Sequence, residues 1–366
     1  MSKIKYFIKS AYWQGKKRRY MRACVRRAQN QYDQLVEKKD LTEEQKKEVV
    51  DYYEKLIGVK VPLIWHQYYF AKTGKFAKEL IPGTLREDLI AKANQVDYRN
   101  AYADKNMLDV YLPGVCMPKS ILKNLNGYFY MDGEPITREE AIQRLQNIDI
   151  AIIKPSLECE GIGVHKLKVE NGITNINGMT LDQLFRDEYG DKNFIIQEWV
   201  EQHERLADLN PSSLNTIRTV TFRLGMEILV LFSSIRIGRK GSEIDNLNAG
   251  GISAVVNSDG TLGEYGYLSD NESCRKTTDS GVVLDGYQIP SYDKAIDFVK
   301  NLHYKLPFFD LIGWDIAINK NGEPVIIEWN VRPGFSQLSY GPAFGENTER
   351  IIKILWPREN KRNAFW

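Results

Sequence analysis

Two apolar segments near the end of the chain, Ile312–Asn319 and Pro324–Trp329, flank Lys320-Asn321-Gly322, and this pairing constrains the fold more than any other feature. An Asn-Gly turn between apolar runs is a strong hairpin signal, because both residues accept the positive φ that a tight turn requires. Alternate side chains of a strand share a face, so Glu328 and Asn330 point the same way. Folding back about Asn321-Gly322 can bring Asp315 alongside them. Asp315, Glu328 and Asn330 together offer three hard oxygen ligands. That set suits Mg²⁺ and leaves positions for water and phosphate oxygens. Polar side chains on a hairpin otherwise made of Ile312, Ile316, Ile318, Val325, Ile326 and Ile327 are costly to bury unless something pairs them. The plain alternative is a polar outer face, but Arg332-Pro333-Gly334 extends the pattern and favours a site.

A second chemical signal is a lysine closing a buried strand. Lys154 ends Ile148–Lys154 and precedes Glu158-Cys159-Glu160-Gly161-Ile162-Gly163. The glycines allow backbone N–H groups to approach phosphate oxygens, with Lys154 as a point charge beside them. The loop is neither a P-loop nor a dinucleotide fingerprint, and protein-kinase signatures are absent.

Further strands are expected at Val164–Val169, Phe194–Val200, Thr216–Leu224, Glu227–Gly238, Gly251–Val256 and Gly263–Leu268. Thr180 with Gln183 starts a helix by capping-box logic, and Ser291–Tyr304 is an amphipathic helix through Ala295, Phe298, Val299 and Leu302. The first hundred residues read mostly helical. Thr42 with Gln45 opens a helix through Leu56, closed by Gly58 and Pro62. The aromatic stretch Val61–Phe70 packs against the rest, with His66 a core histidine rather than a ligand. Strands and helices in unequal blocks argue an α+β class rather than a regular βαβ array.

The chain has 366 residues, enough for two domains, and its 43% hydrophobic and 27% charged composition excludes disorder. No run reaches the ~18 apolar residues of a membrane-spanning helix. Met1–Ser10 does not read as a signal peptide, and the four scattered cysteines fit a reducing cytoplasm better than a disulfide framework or a zinc site. Residues 1–30 carry ten Lys/Arg and no Asp/Glu, while the other 336 carry 40 against 48. Behind Lys16-Lys17-Arg18-Arg19, Arg22, Arg26 and Arg27 runs an apolar stripe of Met21, Val25, Ala28, Tyr32 and Leu35. Such a helix either docks on the body with its basic face in water or makes a peripheral contact with an anionic membrane surface. The mildly acidic body does not suit nucleic acid.

Taken in order, these pieces resemble the ATP-grasp superfamily, nearest to its sugar-transfer-associated family of polysaccharide biosynthesis proteins. The likeness covers roughly residues 60–350. It implies two α+β subdomains clamping ATP, preceded by a mostly helical N-terminal region in place of the usual strand-rich one. The corresponding divisions are 1–97, then 98–200 with the lid, then 201–366 with the metal site. Asp104-Lys105 followed by Pro113-Gly114-Val115-Cys116-Met117-Pro118 matches the family's opening pattern. By that resemblance Lys105 and Lys154 are the phosphate lysines, Gly161 and Gly163 belong to the lid, and Gln197-Glu198-Trp199-Val200 is the adenine hinge. Glu204, or Glu201, would meet ribose. Ser213-Leu214-Asn215-Thr216-Ile217-Arg218 resembles the family's Asn-Thr-Ile-Arg signature, and Asp245–Gly251 its Asp-Asn…Gly-Gly loop. Arg218, Arg236, Asn246 and Arg332 would then be catalytic, and Asp315, Glu328 and Asn330 would hold Mg²⁺.

The resemblance implies an ATP- and Mg²⁺-dependent carboxylate–amine ligase working through an acylphosphate, in surface polysaccharide or sugar-conjugate assembly. Its partners would be a small carboxylate and an amine. A phosphotransferase and a non-catalytic ATP-binding regulatory module are the alternatives. His203 reads equally as a ribose contact or a helix-start residue, His165 as structural or a lid contact. Cys159 reads as an incidental thiol, and Trp314 and Trp329 as hairpin packing.

Overall fold

A computed structural model describes residues 3–158, 161–190, 192–268 and 274–358. These divide into two compact units, one drawn from Met1–Asp97, Phe308–Leu311 and Gly334–Trp366, the other from Tyr98–Pro307 and Ile312–Pro333.

The first unit is helical. It contains α1 (Lys3–Asp33), α2 (Glu43–Ile57), α3 (Ile64–Thr73), α4 (Gly83–Ala93) and a late helix, Thr348–Leu355. Thr42 and Gln45 exchange side-chain and backbone hydrogen bonds as a capping box, and Gly58 at φ 68° ends α2 in the left-handed region. α2 buries Val49, Tyr53 and Ile57, one stripe at helical spacing. α1 is docked. Its Ala28 and Tyr32 pack with Ile64 and Tyr68 of α3, Val25 and Leu35 close the edges, and Lys17 Nζ donates to Asp88 of α4 at 2.6 Å. His66 is 1% exposed, and burial pulls its imidazole down to about 4, so it stays neutral at ordinary pH as a core residue.

The second unit holds two seven-stranded sheets. The first comprises β1 (Ser120–Leu125), β2 (Tyr128–Met131), β3 (Glu134–Ile136), β4 (Ile148–Pro155), β5 (His165–Glu170), β6 (Ile173–Thr174) and β7 (Phe194–Glu198). Their order is β3-β2-β1-β7-β4-β5-β6, with every pair antiparallel. One face carries the core: Leu122, Ala151, Ile153, Leu167 and Ile196 pack with Phe185 and Tyr189. Ile152 and Lys154 alternate with these residues, so they point to the opposite face. The β1–β2–β3 meander was not anticipated strand by strand. Its signal was present, because Asn126-Gly127 and Asp132-Gly133 all adopt positive φ, the pattern of tight hairpin turns.

The second sheet comprises β8 (Ile217–Leu224), β9 (Glu227–Ile237), β10 (Ile252–Val256), β11 (Leu262–Tyr267), β12 (Cys274–Arg275), β13 (Leu311–Ile318) and β14 (Pro324–Asn330). The order is β12-β11-β10-β9-β8-β13-β14. The helix Tyr292–Tyr304 buries Ala295, Val299, Leu302 and His303, and the His303 ring meets Trp314 edge to face at 6.1 Å. Thr221 Oγ1 lies 2.7 Å from both His303 Nδ1 and Trp314 Nε1. Trp314 and Trp329 are cross-strand partners with centroids 6.2 Å apart, so both tryptophans serve packing. Asp315 pairs with Glu328, but Ile316 pairs with Ile326, leaving Ile327 as the extra residue of a bulge.

Candidate active site

A cavity in the second unit is lined from both sheets. Eleven of the residues proposed from sequence border it: Lys105, Lys154, Gly161, Gln197, Glu198, Trp199, Val200, Arg236, Asn246, Asp315 and Glu328. Gly163, Glu204, Arg218, Asn330 and Arg332 stand outside the lining.

Lys105 is fixed locally. The Asp104 carboxylate accepts the Asn106 N–H and caps the turn Lys105–Met107, while Lys105 N donates to Ser156 O at 3.1 Å. Its ammonium donates to Glu158 O at 3.0 Å and pairs with Glu328 Oε2 at 3.2 Å. Lys154 differs. It is 6% exposed, and its ammonium finds no acceptor among the described residues. Burial first, then the neighbouring Lys105, pulls it down to about 8, with Glu328 opposing. An anion placed in the cavity would relieve that penalty.

On the opposite wall the charges are already matched. Arg218 grips Asp315 with both forks, Nη2 to Oδ2 at 2.6 Å, and Arg236 Nη1 reaches the same Oδ2 at 3.4 Å. Burial pushes the Asp315 carboxyl up, but the two guanidiniums overcome that and hold it well below the usual carboxylate range. Arg218 thus touches the site through Asp315 rather than by lining the cavity. Its place follows from strand register, since Arg218 sits on β8 opposite Ser234 of β9, two residues from Arg236.

The hinge segment gives an apolar slot. Ile152, Trp199, Leu214, Ile244 and Ile327 supply the apolar part of the cavity lining, chemistry suited to a flat ring. Gln197 pairs with Ile152 across β7 and β4, and its Nε2 donates to Pro118 O at 3.2 Å. Its Oε1 is buried with no donor among the described residues. The strand ends at Glu198, two residues before the expected Val200, as the chain turns to line the cavity. Glu201 pairs with Lys320 at 2.6 Å, and Glu204 opens the helix Glu204–Leu209. His203 is the N-cap of that helix, its Nδ1 accepting the Arg205 N–H at 3.2 Å.

The loop after β9 folds over the cavity because two glycines permit it. A Cβ at Gly251 would lie 2.6 Å from Asp245 O, and one at Gly238 would lie 2.5 Å from Ser213 Oγ. Asp245 accepts both the backbone N–H and the hydroxyl of Thr216. Burial raises its carboxyl to about 6 against the pull of Arg236. Asn215 is the part of the signature whose role sequence left open. Its amide nitrogen donates to Leu206 O and Asn210 O at 2.8 Å, and its oxygen accepts from Ser213 Oγ at 2.8 Å and Gly238 N at 3.3 Å. Gln202 joins this network, accepting the Asn215 N–H at 3.0 Å and donating to Ser213 O at 2.7 Å. Thr216 and Asp245, both inside the family-like signatures, line the cavity too, as do Glu243 and Ile244 of the loop before Asp245, whose shape is not written in periodicity.

Of the expected lid, Cys159 and Glu160 lie outside the described residues. Gly161 and Gly163 have φ of 77° and 69°, and Tyr189 Oη donates to Gly163 O at 3.0 Å. His165 Nε2 lies 3.7 Å from Glu188.

Asp315 and Glu328 stand directly opposite in register on the cavity wall, two hard oxygen donors suited to a divalent cation. Asn330 Oδ1 accepts the Arg332 N–H at 2.8 Å and turns the chain after β14. Among the described residues no group of three His, Cys, Asp or Glu side chains could hold a metal ion. A cation held by these two carboxylates would take its remaining ligands from phosphate oxygens and water.

The sequence model of one family, sugar-transfer associated ATP-grasp, matches residues 85–353. The chain belongs to that family and has the ATP-grasp fold. Among solved structures it is similar to biotin carboxylase from Campylobacter jejuni, with 12% identity, a TM-score of 0.45, and coverage of 76% of this chain and 53% of that one. It is also similar to D-alanine–D-alanine ligase from Bacillus anthracis, with 14% identity, TM-score 0.39, and coverage of 72% and 68%. An L-amino acid ligase from Bacillus licheniformis matches at 11% identity, TM-score 0.40, covering 71% and 48%. The chain spans about half the length of several solved structures it matches. No curated protein matches it. No helix among the described residues is long and apolar enough to cross a membrane.

Proposed function

We propose that this chain is an ATP- and Mg²⁺-dependent carboxylate–amine ligase of surface polysaccharide or sugar-conjugate assembly, working in the cytoplasm. The observation that carries the reading is Lys154, a buried ammonium without an acceptor among the described residues, in one cavity with the Asp315–Glu328 pair. A polyphosphate supplies the anion that Lys154 lacks, and Gln197 Oε1 supplies an acceptor for the amino group of adenine.

In this reading Lys105 and Lys154 orient the β- and γ-phosphates, and the apolar slot about Ile152 and Trp199 takes the base. Asp315, Glu328 and, by the family resemblance, Asn330 hold Mg²⁺, which when bound neutralises phosphate charge. A substrate carboxylate attacks the γ-phosphate, giving an acylphosphate and ADP. The amine then displaces phosphate and forms an amide. Arg236 faces the growing charge, Arg218 keeps Asp315 ionised and aligned, and Asn246 holds the loop by accepting the Asn248 N–H at 2.8 Å. Arg332, just beyond β14, is assigned to phosphate or substrate. The Gly161–Gly163 segment keeps water from the acylphosphate.

The test is a screen of acid and amine pairs for ADP release. Free phosphate that requires both an acid and an amine supports ligation. Phosphate retained on a single acceptor replaces it with phosphotransfer, and ATP bound but never consumed leaves a regulatory module.

A further inference from the structure

We propose that the outward face of α1 is a docking surface for anionic phospholipid. Arg18, Arg19, Arg22, Arg26 and Arg27 are all exposed, and none has a carboxylate partner among the described residues. Lys17, on the docked side, spends its charge on Asp88. The five guanidiniums fan over the side of the helix away from Ala28 and Tyr32, which are buried against α3. Five like charges on one face, with no acid within residues 1–30 to balance them, cost stability by mutual repulsion unless an external anion answers them.

The apolar stripe of this stretch is already used in packing, so residues 18–27 touch a partner by charge and not by insertion. What favours a membrane over a nucleic acid is the start of the same helix. Lys3, Lys5 and Lys9 alternate with Ile4, Phe7, Ile8 and Ala11, which recur at helical spacing, and Tyr12 and Trp13 follow. Aliphatic residues at that spacing, flanked by lysine, tyrosine and tryptophan, match the composition of helices that lie in the headgroup region. A nucleic acid would instead call for basic residues beyond this helix, and the other 336 residues carry 40 basic against 48 acidic side chains.

Sedimentation of the whole chain with vesicles tests this. Phosphatidylcholine vesicles containing phosphatidylglycerol should pull the protein down, pure phosphatidylcholine should not, and raising salt should release it. Changing all five arginines to glutamine should weaken anionic-vesicle binding by roughly tenfold or more, while the melting temperature holds or rises, because the side chains are exposed and their mutual repulsion is gone. Changing them to lysine should retain binding and separates lost charge from lost fold. Equal binding to neutral and anionic vesicles, no binding to either, retention by the glutamine variant, or preferential binding to duplex nucleic acid at matched salt would overturn the proposal.

Discussion

The two walls of the cavity handle charge in opposite ways. On the first sheet, Lys154 is buried on β4 with no acceptor among the described residues, while Lys105 beside it has two carbonyls and Glu328 within reach. On the second sheet, Asp315 is 3% exposed and answered by two guanidiniums. The second-sheet wall thus answers its own carboxylate from within. The Lys154 wall lacks a matching acceptor among the described residues. Stability and ligand affinity therefore belong to different sides of the same site, and substitutions should separate them.

The largest effect should come from Asp315→Ala, which takes from Arg218 the carboxylate that accepts both its Nε–H and its Nη2–H, and from Arg236 an ion-pair partner. It should cost about 3–5 kcal/mol in denaturant unfolding and also abolish ATP consumption. Glu328→Ala, at a half-buried position, should remove Mg²⁺-dependent turnover with a much smaller loss of stability. Equal destabilisation by the two would break the comparison. Lys154→Met should do the reverse of Asp315→Ala. It should lose ATP binding in calorimetry while raising stability by roughly 1–3 kcal/mol at neutral pH, because a penalised buried charge is gone.

The pH dependence sharpens this. With its ammonium drawn down to about 8, Lys154 weakens the folded state most below that value, and the penalty fades as pH rises toward the unfolded value. ATP should act in the other direction. It favours the charged lysine, so affinity is full below about pH 8 and falls, by up to tenfold per unit, as pH rises above it. A flat affinity profile from pH 7 to about 9.5 would remove Lys154 from the phosphate site. The smallest effect belongs to the joint between the walls. His203→Ala should lose about 1 kcal/mol through the missing cap and leave ATP affinity unchanged. A large rise in the dissociation constant would instead make His203 a ribose contact.

Much of the second sheet was legible because its signals are local. The Asn321-Gly322 turn marked the β13–β14 hairpin, and period-two alternation put Glu328 and Asn330 on one face. The capping boxes at Thr42 and Thr180 marked helix starts for the same reason. What escaped was whatever depends on residues far apart in the chain. Nothing near Arg218 says that its fork closes on a carboxylate 97 positions later. The bulge at Ile327 has no marker in an unbroken isoleucine run, yet it shifts the register just below Glu328. Glu204 sits in a motif-like position but opens a helix, since the capping chemistry of His203 decides the local geometry.

The amide network about Asn215 carries a mechanical consequence. Besides the Gln202 bonds, His203 N donates to Ile318 O and Lys320 N donates to Glu201 O, at 2.9 and 2.8 Å, so residues 201–203 are strapped to the second sheet. Glu198 is likewise anchored to the first sheet through its N–H to Lys119 O. Ile326 N likewise donates to Cys116 O at 3.0 Å, so under the proposed function a swing of one sheet against the other would bend the chain at Trp199 and Val200 and again between Cys116 and β1. Trp199 and Val200 also border the cavity, so under the proposed function a molecule lodged there would lie on one of those bends and act as a wedge against reopening.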